Sequence, residues 1–128
     1  MILGRLIGSI ALGVDNRFKV GILICTGGNL SYIFYNSALS SQLEKFKPIL
    51  ESLPRPYVEP LSYISFFNKQ LQFHLGEQDN IIPLEAGLQL ASRAEIKEVY
   101  TYKADHGLSF TQIADKIIVF LSKYLPSQ

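Results

Sequence analysis

Apolar positions along the chain switch between helical spacing and short continuous runs. The helical spacing predicts helices over residues 4–14, 40–53, 83–91 and 110–125, and the short runs predict strands over residues 19–25, 70–75 and 95–102. Because helices and strands alternate, we expect an α/β fold: a three-layer arrangement in which helices cover both faces of a parallel sheet.

Two segments give weaker patterns. The opening apolar segment is interpreted as a buried helix, because it is shorter than the roughly 18 apolar residues of a membrane span and no cleavage-site pattern follows it. Between residues 29 and 63 the aromatic side chains of Tyr32, Phe34 and Tyr35 follow no clean period. Such residues belong either to the core or to the wall of a pocket.

Charge and cysteine content narrow the function classes. The 128 residues include 12 Lys and Arg against 11 Asp and Glu, a net charge of +1, which argues against a nucleic-acid or acidic-membrane partner. Cys25 is the single cysteine and cannot form an internal disulfide, and no Cys/His spacing matches a zinc site. We therefore expect a protein of the cytoplasm without a metal or other cofactor.

Candidate chemistry follows each predicted strand, where functional groups of open α/β sheets gather. Cys25 ends the first strand, and the two glycines after Thr26 would leave room for a ligand. Asp79 follows the second strand and His106 follows the third. His74 lies within an apolar strand, and we interpret it as a hydrogen-bonded core residue.

Four segments resemble the α/β-hydrolases, and more closely their dienelactone hydrolase and prolyl-oligopeptidase-like branches. Residues 71–83 contain an apolar strand followed by G-x-x-D-x-x-x-P, and residues 105–107 read Asp-His-Gly before a C-terminal helix. Residues 15–24 are similar to the link between the nucleophile helix and the next strand, and residues 59–64 to the segment before the acid strand. The resemblance spans nearly the whole chain.

The resemblance implies roles for two residues. The family's chain order is nucleophile, acid, histidine, and Asp79 and His106 occupy the last two places. His106 would take the proton from the nucleophile, and Asp79 would orient the imidazole. A turn or helix-capping role for Asp79 and a partnership of Asp105 with His106 are the alternatives, and the chain order favours Asp79.

The nucleophile is missing from the pattern, because no G-x-S-x-G occurs in the chain. If Gly4 is the glycine that closes the family's turn, the serine position falls on Ile2, and if Gly4 is the glycine after it, the position falls on Met1. Neither residue can attack. Ser9 is expected to be a packing residue of a helix. Cys25 is a weak candidate for the nucleophile, and the preferred interpretation of this residue is a buried structural thiol. Residues 1–128 are therefore interpreted as one partial α/β-hydrolase domain, its C-terminal part, without the first strands and the nucleophile turn.

Two function classes follow. The first is a serine hydrolase that cleaves an ester or amide of a small molecule or peptide, with its nucleophile outside this chain, so that the chain alone is inactive. The second is a non-catalytic remnant or a dimerising or binding module of the same descent. Both predict self-association or pairing with a missing N-terminal segment, because a bare sheet edge is rarely left open to water.

Overall fold

The computed structural model describes residues 2–54, 57–125 and 127. The helices are α1 Ile2–Val14, α2 Leu30–Asn36, α3 Ser40–Leu43, α4 Lys47–Ser52, α5 Pro60–Ile64, α6 Leu84–Arg93 and α7 Phe110–Tyr124, with a 3₁₀ turn at Glu44–Phe46, and the strands are β1 Val20–Ile24, β2 Gln70–Gly76 and β3 Lys97–Tyr102. No helix in this part of the chain is both long and apolar enough to cross a bilayer.

The three strands form one parallel sheet in the order β1-β2-β3. Leu23 pairs with Phe73 between β1 and β2, and Phe73 pairs with Val99 between β2 and β3. The central strand β2 is buried on both faces, whereas the burial of β3 alternates as expected for an edge strand. The predicted α/β fold with a parallel sheet is confirmed.

Helices cover both faces of this sheet, because alternate side chains of β2 contact different layers. Phe73 and Leu75 face the layer that contains α1, α5 and α6, where they join a core cluster with Leu12 and Leu90. Gln72 faces the opposite side, where its Nε2 donates a 3.3 Å hydrogen bond to a main-chain carbonyl of α7.

The first helix is less buried than the sequence interpretation has it. Within residues 4–14, Ser9 and Leu12 are buried, whereas Ile7 is 50% and Val14 is 64% exposed. The helix therefore presents apolar side chains to two sides, and only one of those sides packs against the described core. The structure corrects the interpretation of this segment as a buried helix, because one side of α1 is buried and another is exposed.

The described residues between β1 and β2, 25–54 and 57–69, form four short helices and a 3₁₀ turn. The sequence pattern predicts a single helix over residues 40–53, whereas the structure has α3, the 3₁₀ turn and α4 there. It also contains α2 and α5, which the pattern does not predict. Within α2, Phe34 is buried and Tyr35 is 60% exposed, so the aromatic residues divide between the interior and the surface.

Candidate active site

The loops after β2 and β3 are joined by main-chain hydrogen bonds. Glu77 N–H donates to the Tyr102 carbonyl at 2.8 Å, and Gln78 N–H donates to the Ala104 carbonyl at 3.0 Å. Gly76 allows this approach, because a Cβ there would lie 2.5 Å from the Ala104 carbonyl oxygen. We name residues 77–83 the acid loop and residues 103–107 the histidine loop. Their side chains meet because β2 and β3 are neighbours in the sheet.

Asp79 uses its two carboxylate oxygens differently. Its Oδ1 accepts hydrogen bonds from the main-chain N–H groups of Ile81 and Ile82, both at 2.9 Å. Its Oδ2 lies 2.8 Å from Nδ1 of His106, and the Asp79 side chain is only 1% exposed. Asp79 is thus both a turn-stabilising acid and the partner of the histidine, so the two alternatives for this residue are compatible.

The partner of His106 determines which ring nitrogen carries the proton. A carboxylate accepts hydrogen bonds only, so Nδ1 of His106 is the donor toward Asp79, and Nε2 of the neutral imidazole keeps its lone pair. The His106 side chain is 20% exposed, so this ring can be reached from outside the described core. A histidine held in this way can accept a proton at Nε2.

Arg5 contacts His106 from α1, across 101 residues of sequence. Its Nη1 lies 2.8 Å from Nε2 and 3.3 Å from Nδ1 of His106, and 3.3 Å from the His106 carbonyl oxygen. A donor in line with the lone pair of one ring nitrogen would be much farther from the other, so Nη1 lies over the face of the ring. The first turns of α1 therefore border the imidazole, a contact that no local sequence pattern indicates.

Asp105, the alternative partner, is turned toward its own loop. Its Oδ1 accepts a 2.7 Å hydrogen bond from the main-chain N–H of Gly107. The carboxylate that contacts His106 belongs to Asp79. In the structure Asp105 shapes the histidine loop.

Cys25 lies at the end of β1 close to both loops, and its side chain is buried. It is 1% exposed, and burial is the main cause that raises its thiol pKa, to which the charge of Asp79 adds. The positive charge of Arg5 and main-chain groups of Leu108 and Gly76 oppose this rise. Because the thiolate is the reactive form, a raised pKa keeps Cys25 unreactive near neutral pH.

The glycines after Cys25 do not leave room for a ligand. A Cβ on Gly27 would lie 2.8 Å from Ile82, and a Cβ on Gly28 would lie 2.6 Å from Leu61. The expectation of an open strand end is wrong here, because both glycines are needed for close packing against neighbouring elements.

Ser9 is likewise engaged in packing. It is fully buried in α1, and its Oγ lies 3.4 Å from Oγ1 of Thr26, which in turn donates a 2.7 Å hydrogen bond to the Arg5 carbonyl. Met1, one of the two positions where the resemblance would place a serine, lies outside the described residues. Ile2 begins α1.

His74 belongs to the opposite face of the sheet. It is fully buried, its Nδ1 lies 2.8 Å from the Tyr102 hydroxyl, and its Nε2 lies 2.8 Å from Gln72 Oε1. Burial, followed by the charge of Lys116, lowers its pKa to about 4, against a smaller opposing effect of Glu98. The interpretation of His74 as a hydrogen-bonded core histidine agrees with these contacts.

A cavity of about 570 Å³ lies beside the acid loop. We name it the apolar cavity, and it is lined by Leu6, Leu30, Ile33, Phe34, Ser37, Leu43, Phe46, Ile49, Leu50 and Ile81. None of these side chains is charged. Helices α2, α3 and α4 and the 3₁₀ turn between them supply most of the wall. The segment with the least regular sequence pattern therefore builds this feature.

Comparison with known proteins gives structural but not sequence-level matches. No protein-family model matches the chain, and no curated protein matches it. The fold is similar to an acylaminoacyl peptidase from Pyrococcus horikoshii (TM-score 0.80, 20% identity, 95% of this chain and 23% of that chain). It is also similar to an acetyl xylan esterase from Paenibacillus sp. R4 (TM-score 0.77, 15% identity, 94% of this chain and 42% of that chain).

A third similar structure is the esterase domain of a Rhodothermus marinus protein, with a TM-score of 0.69 and 16% identity over 95% of this chain and 57% of that domain. At these identities the likeness concerns the fold. The chain has the parallel sheet and flanking helices of the α/β-hydrolase fold, and it spans less than two thirds of each of these neighbours.

Proposed function

We propose that this chain supplies the acid and the histidine of a hydrolase that cleaves an ester or amide bond by acyl transfer. The observation that carries the proposal is the 2.8 Å contact between Asp79 Oδ2 and His106 Nδ1 at the carboxyl ends of neighbouring parallel strands. The acid precedes the histidine in the chain, as it does in α/β-hydrolases. The substrate class is a small-molecule ester or a peptide.

In the proposed mechanism each group has one task. His106 Nε2 accepts the proton of the attacking nucleophile and then delivers it to the leaving group. Asp79 keeps the proton of the neutral ring on Nδ1 and stabilises the imidazolium that forms. The two main-chain donors on Asp79 Oδ1 hold the carboxylate in place, so its orientation does not depend on the histidine.

We further propose that the nucleophile and the donors to the developing oxyanion come from polypeptide outside these 128 residues, next to the start of α1. Arg5 brings the first turns of α1 over the His106 ring, where the resemblance places the helix that follows the nucleophile. Inside the chain, the side chains of Ser9 and Cys25 are buried in packing contacts, and no G-x-S-x-G occurs. The chain is then one part of a larger site.

Covalent labelling with a fluorophosphonate, read as intact mass, tests this proposal. The 128-residue chain alone is expected to give no adduct. The same chain, produced with the in-frame coding sequence upstream of Met1 where that sequence encodes G-x-S-x-G, is expected to give one adduct per molecule. His106→Ala should slow this labelling by about 10²–10⁴-fold, the typical contribution of a general base.

The two neighbouring acids provide a matched control for the labelling. Asp79→Asn should slow the labelling strongly, whereas Asp105→Asn should leave it within about twofold, because only Asp79 contacts the imidazole. Equal rates in the two variants would contradict the role of Asp79. An adduct on the 128-residue chain that disappears in His106→Ala would contradict a nucleophile outside the chain.

The second candidate function is a non-catalytic module that associates through its open sheet edge. Among the described strands, β1 pairs only with β2, so one side of β1 has no strand neighbour. Ile7, Val14 and Phe110 are exposed apolar residues on the helices beside it. Sedimentation at micromolar concentration is expected to detect self-association, and a clean monomer would contradict it.

A further inference from the structure

Two residues of the apolar cavity wall are linked to the Asp79–His106 pair. Ile81 lines the cavity and also donates its main-chain N–H to Asp79 Oδ1 at 2.9 Å. Leu6 lines the cavity from α1 and directly follows Arg5, whose guanidinium covers the His106 ring. The cavity wall is therefore connected to both side chains of the pair, through the Ile81 N–H that binds Asp79 and through Arg5, which contacts His106.

The wall of the cavity restricts what it can bind. Its one polar side chain is Ser37, whose Oγ already accepts a 3.1 Å hydrogen bond from the Leu39 N–H, and the other lining side chains are hydrocarbon or aromatic. A charged or strongly polar group would lose its water here without gaining a partner, which is costly. A hydrocarbon chain fits, because it gains free energy from each group removed from water.

The volume of the cavity indicates the length of that chain. About 570 Å³ lies within the range of roughly 300–1,000 Å³ that is typical of small-molecule pockets. A two-carbon acetyl group would leave most of the wall in contact with water, so it would gain little from binding. A longer linear hydrocarbon chain can contact residues from α1, α2 and α4 together, because all three helices line the cavity.

We propose that the apolar cavity binds the hydrocarbon acyl chain of the substrate and selects medium-length chains over acetyl. This inference rests on the proposed acyl-transfer function for the identity of the bound group. The short helices α2–α4 then determine substrate specificity, while the strand ends carry the reacting groups. Ile49, which lines the cavity and is 58% exposed, stands at its accessible side.

Binding of two neutral probes to the 128-residue chain, followed by NMR titration, tests the proposal without requiring catalysis. N-methyloctanamide is expected to bind saturably and at least about 100-fold more tightly than N-methylacetamide, because each buried methylene contributes about fourfold to the binding constant. The ring signals of His106 should shift on binding. Those of His74, which faces the opposite layer, should not.

Two matched variants locate the binding site. Ile49→Asp places a charge on the wall and should weaken N-methyloctanamide binding at least about tenfold. Ile118→Asp makes the same change at a helical residue of equal exposure, 59% against 58%, outside the cavity lining. Ile118→Asp should bind N-methyloctanamide with the same affinity as the unmodified chain.

Three results would overturn the proposal: equal affinity for the two probes, unchanged binding in Ile49→Asp, or saturable binding that leaves the His106 signals in place. Failure of the proposed function has a different signature. In that case N-methyloctanamide still binds and shifts His106, but the longer polypeptide is not labelled by the fluorophosphonate. If the fluorophosphonate labels the longer polypeptide but the two probes bind with equal affinity, the acyl-chain site is contradicted and the proposed function is not.

Discussion

The chain has two histidines, and their surroundings give them opposite properties. His74 is fully buried under α7, and both of its ring nitrogens have hydrogen-bond partners from the sheet. His106 stands in a loop at the strand ends, bonded through Nδ1 to Asp79 and partly exposed. A histidine held at both nitrogens by side chains of the sheet holds strands together, whereas one that donates from Nδ1 to a carboxylate can exchange a proton at Nε2.

The partners also give the two rings opposite tautomers. Gln72 Nε2 donates to Glu98 Oε2 at 3.0 Å, and this bond turns Gln72 Oε1 toward His74. Nε2 of His74 must therefore carry its proton, and Nδ1 accepts from the Tyr102 hydroxyl. In His106 the proton is on Nδ1 instead. One residue type is thus fixed in two states by neighbours of different chemistry.

Removing the buried ring should have the largest effect on stability. His74→Ala leaves a cavity and takes the partners away from Gln72 and Tyr102, so we expect a loss of about 3 kcal/mol in the free energy of unfolding. His106→Ala should cost about 1 kcal/mol, because water can reach the exposed loop. Urea unfolding of both variants checks this order, and equal losses would contradict the distinction between the two histidines.

Acid should weaken the fold through His74. Its pKa is lowered to about 4 in the folded chain, below the ordinary value of 6.5, so between these values the unfolded chain binds the proton and the folded chain does not. Stability from this group is complete above about pH 6.5 and decreases as the pH falls toward 4, by at most about 3 kcal/mol.

A second variant isolates this contribution from those of other titrating groups. His74→Gln cannot titrate, so its free energy of unfolding should depend less on pH than that of the unmodified chain across this interval. Lys116 and Glu98 are the charged groups that act on His74, with Lys116 lowering and Glu98 raising its pKa, and both remain in the variant. Identical pH dependence of the two proteins would show that His74 is not the titrating group.

Replacing the acid should change the tautomer of His106 while keeping the fold. In Asp79→Asn the side-chain oxygen can still accept from Ile81 and Ile82, but the amide now donates to Nδ1 of His106. We expect the proton to move to Nε2 and the free energy of unfolding to change by about 1 kcal/mol. Retention of the Nδ1 proton, read from the ¹⁵N shifts of the ring, would contradict the contact with Asp79.

The smallest expected effect concerns the neighbouring acid. Asp105→Ala removes one exposed hydrogen bond, to the Gly107 N–H, and should cost about 0.5 kcal/mol. The His106 tautomer should not change. A tautomer change in this variant, with none in Asp79→Asn, would make Asp105 the partner of the histidine.

Much of the sheet could be predicted from the sequence because its signals are local. Continuous apolar runs predict β1 and β2, and the helical period of Ile113, Ile117 and Phe120 predicts the buried face of α7. The pairing of Asp79 with His106 follows from their positions after two strands, once the resemblance supplies the order of the site. In these regions the hydrophobic pattern of the sequence matches the burial of the side chains in the structure.

Other features depend on contacts that are distant in sequence. Helix α2 is seven residues long, and its aromatic residues divide between the cavity and solvent, so no period of burial appears. In the sequence, the glycines after Cys25 suggest space for a ligand. In the structure they allow close packing of Ile82 and Leu61 instead. Arg5 meets His106 across 101 residues, and nothing in either local sequence indicates the pair.

The most direct test of the central claim is ¹⁵N NMR of the ring nitrogens of both histidines in the labelled 128-residue chain. The measurement is made at about pH 8, above the ordinary histidine pKa of about 6.5. The contacts of His106 predict a proton on Nδ1 and none on Nε2, and those of His74 predict a proton on Nε2 and none on Nδ1. A proton on Nε2 of His106 would contradict the account, because that nitrogen could then accept no proton from a nucleophile.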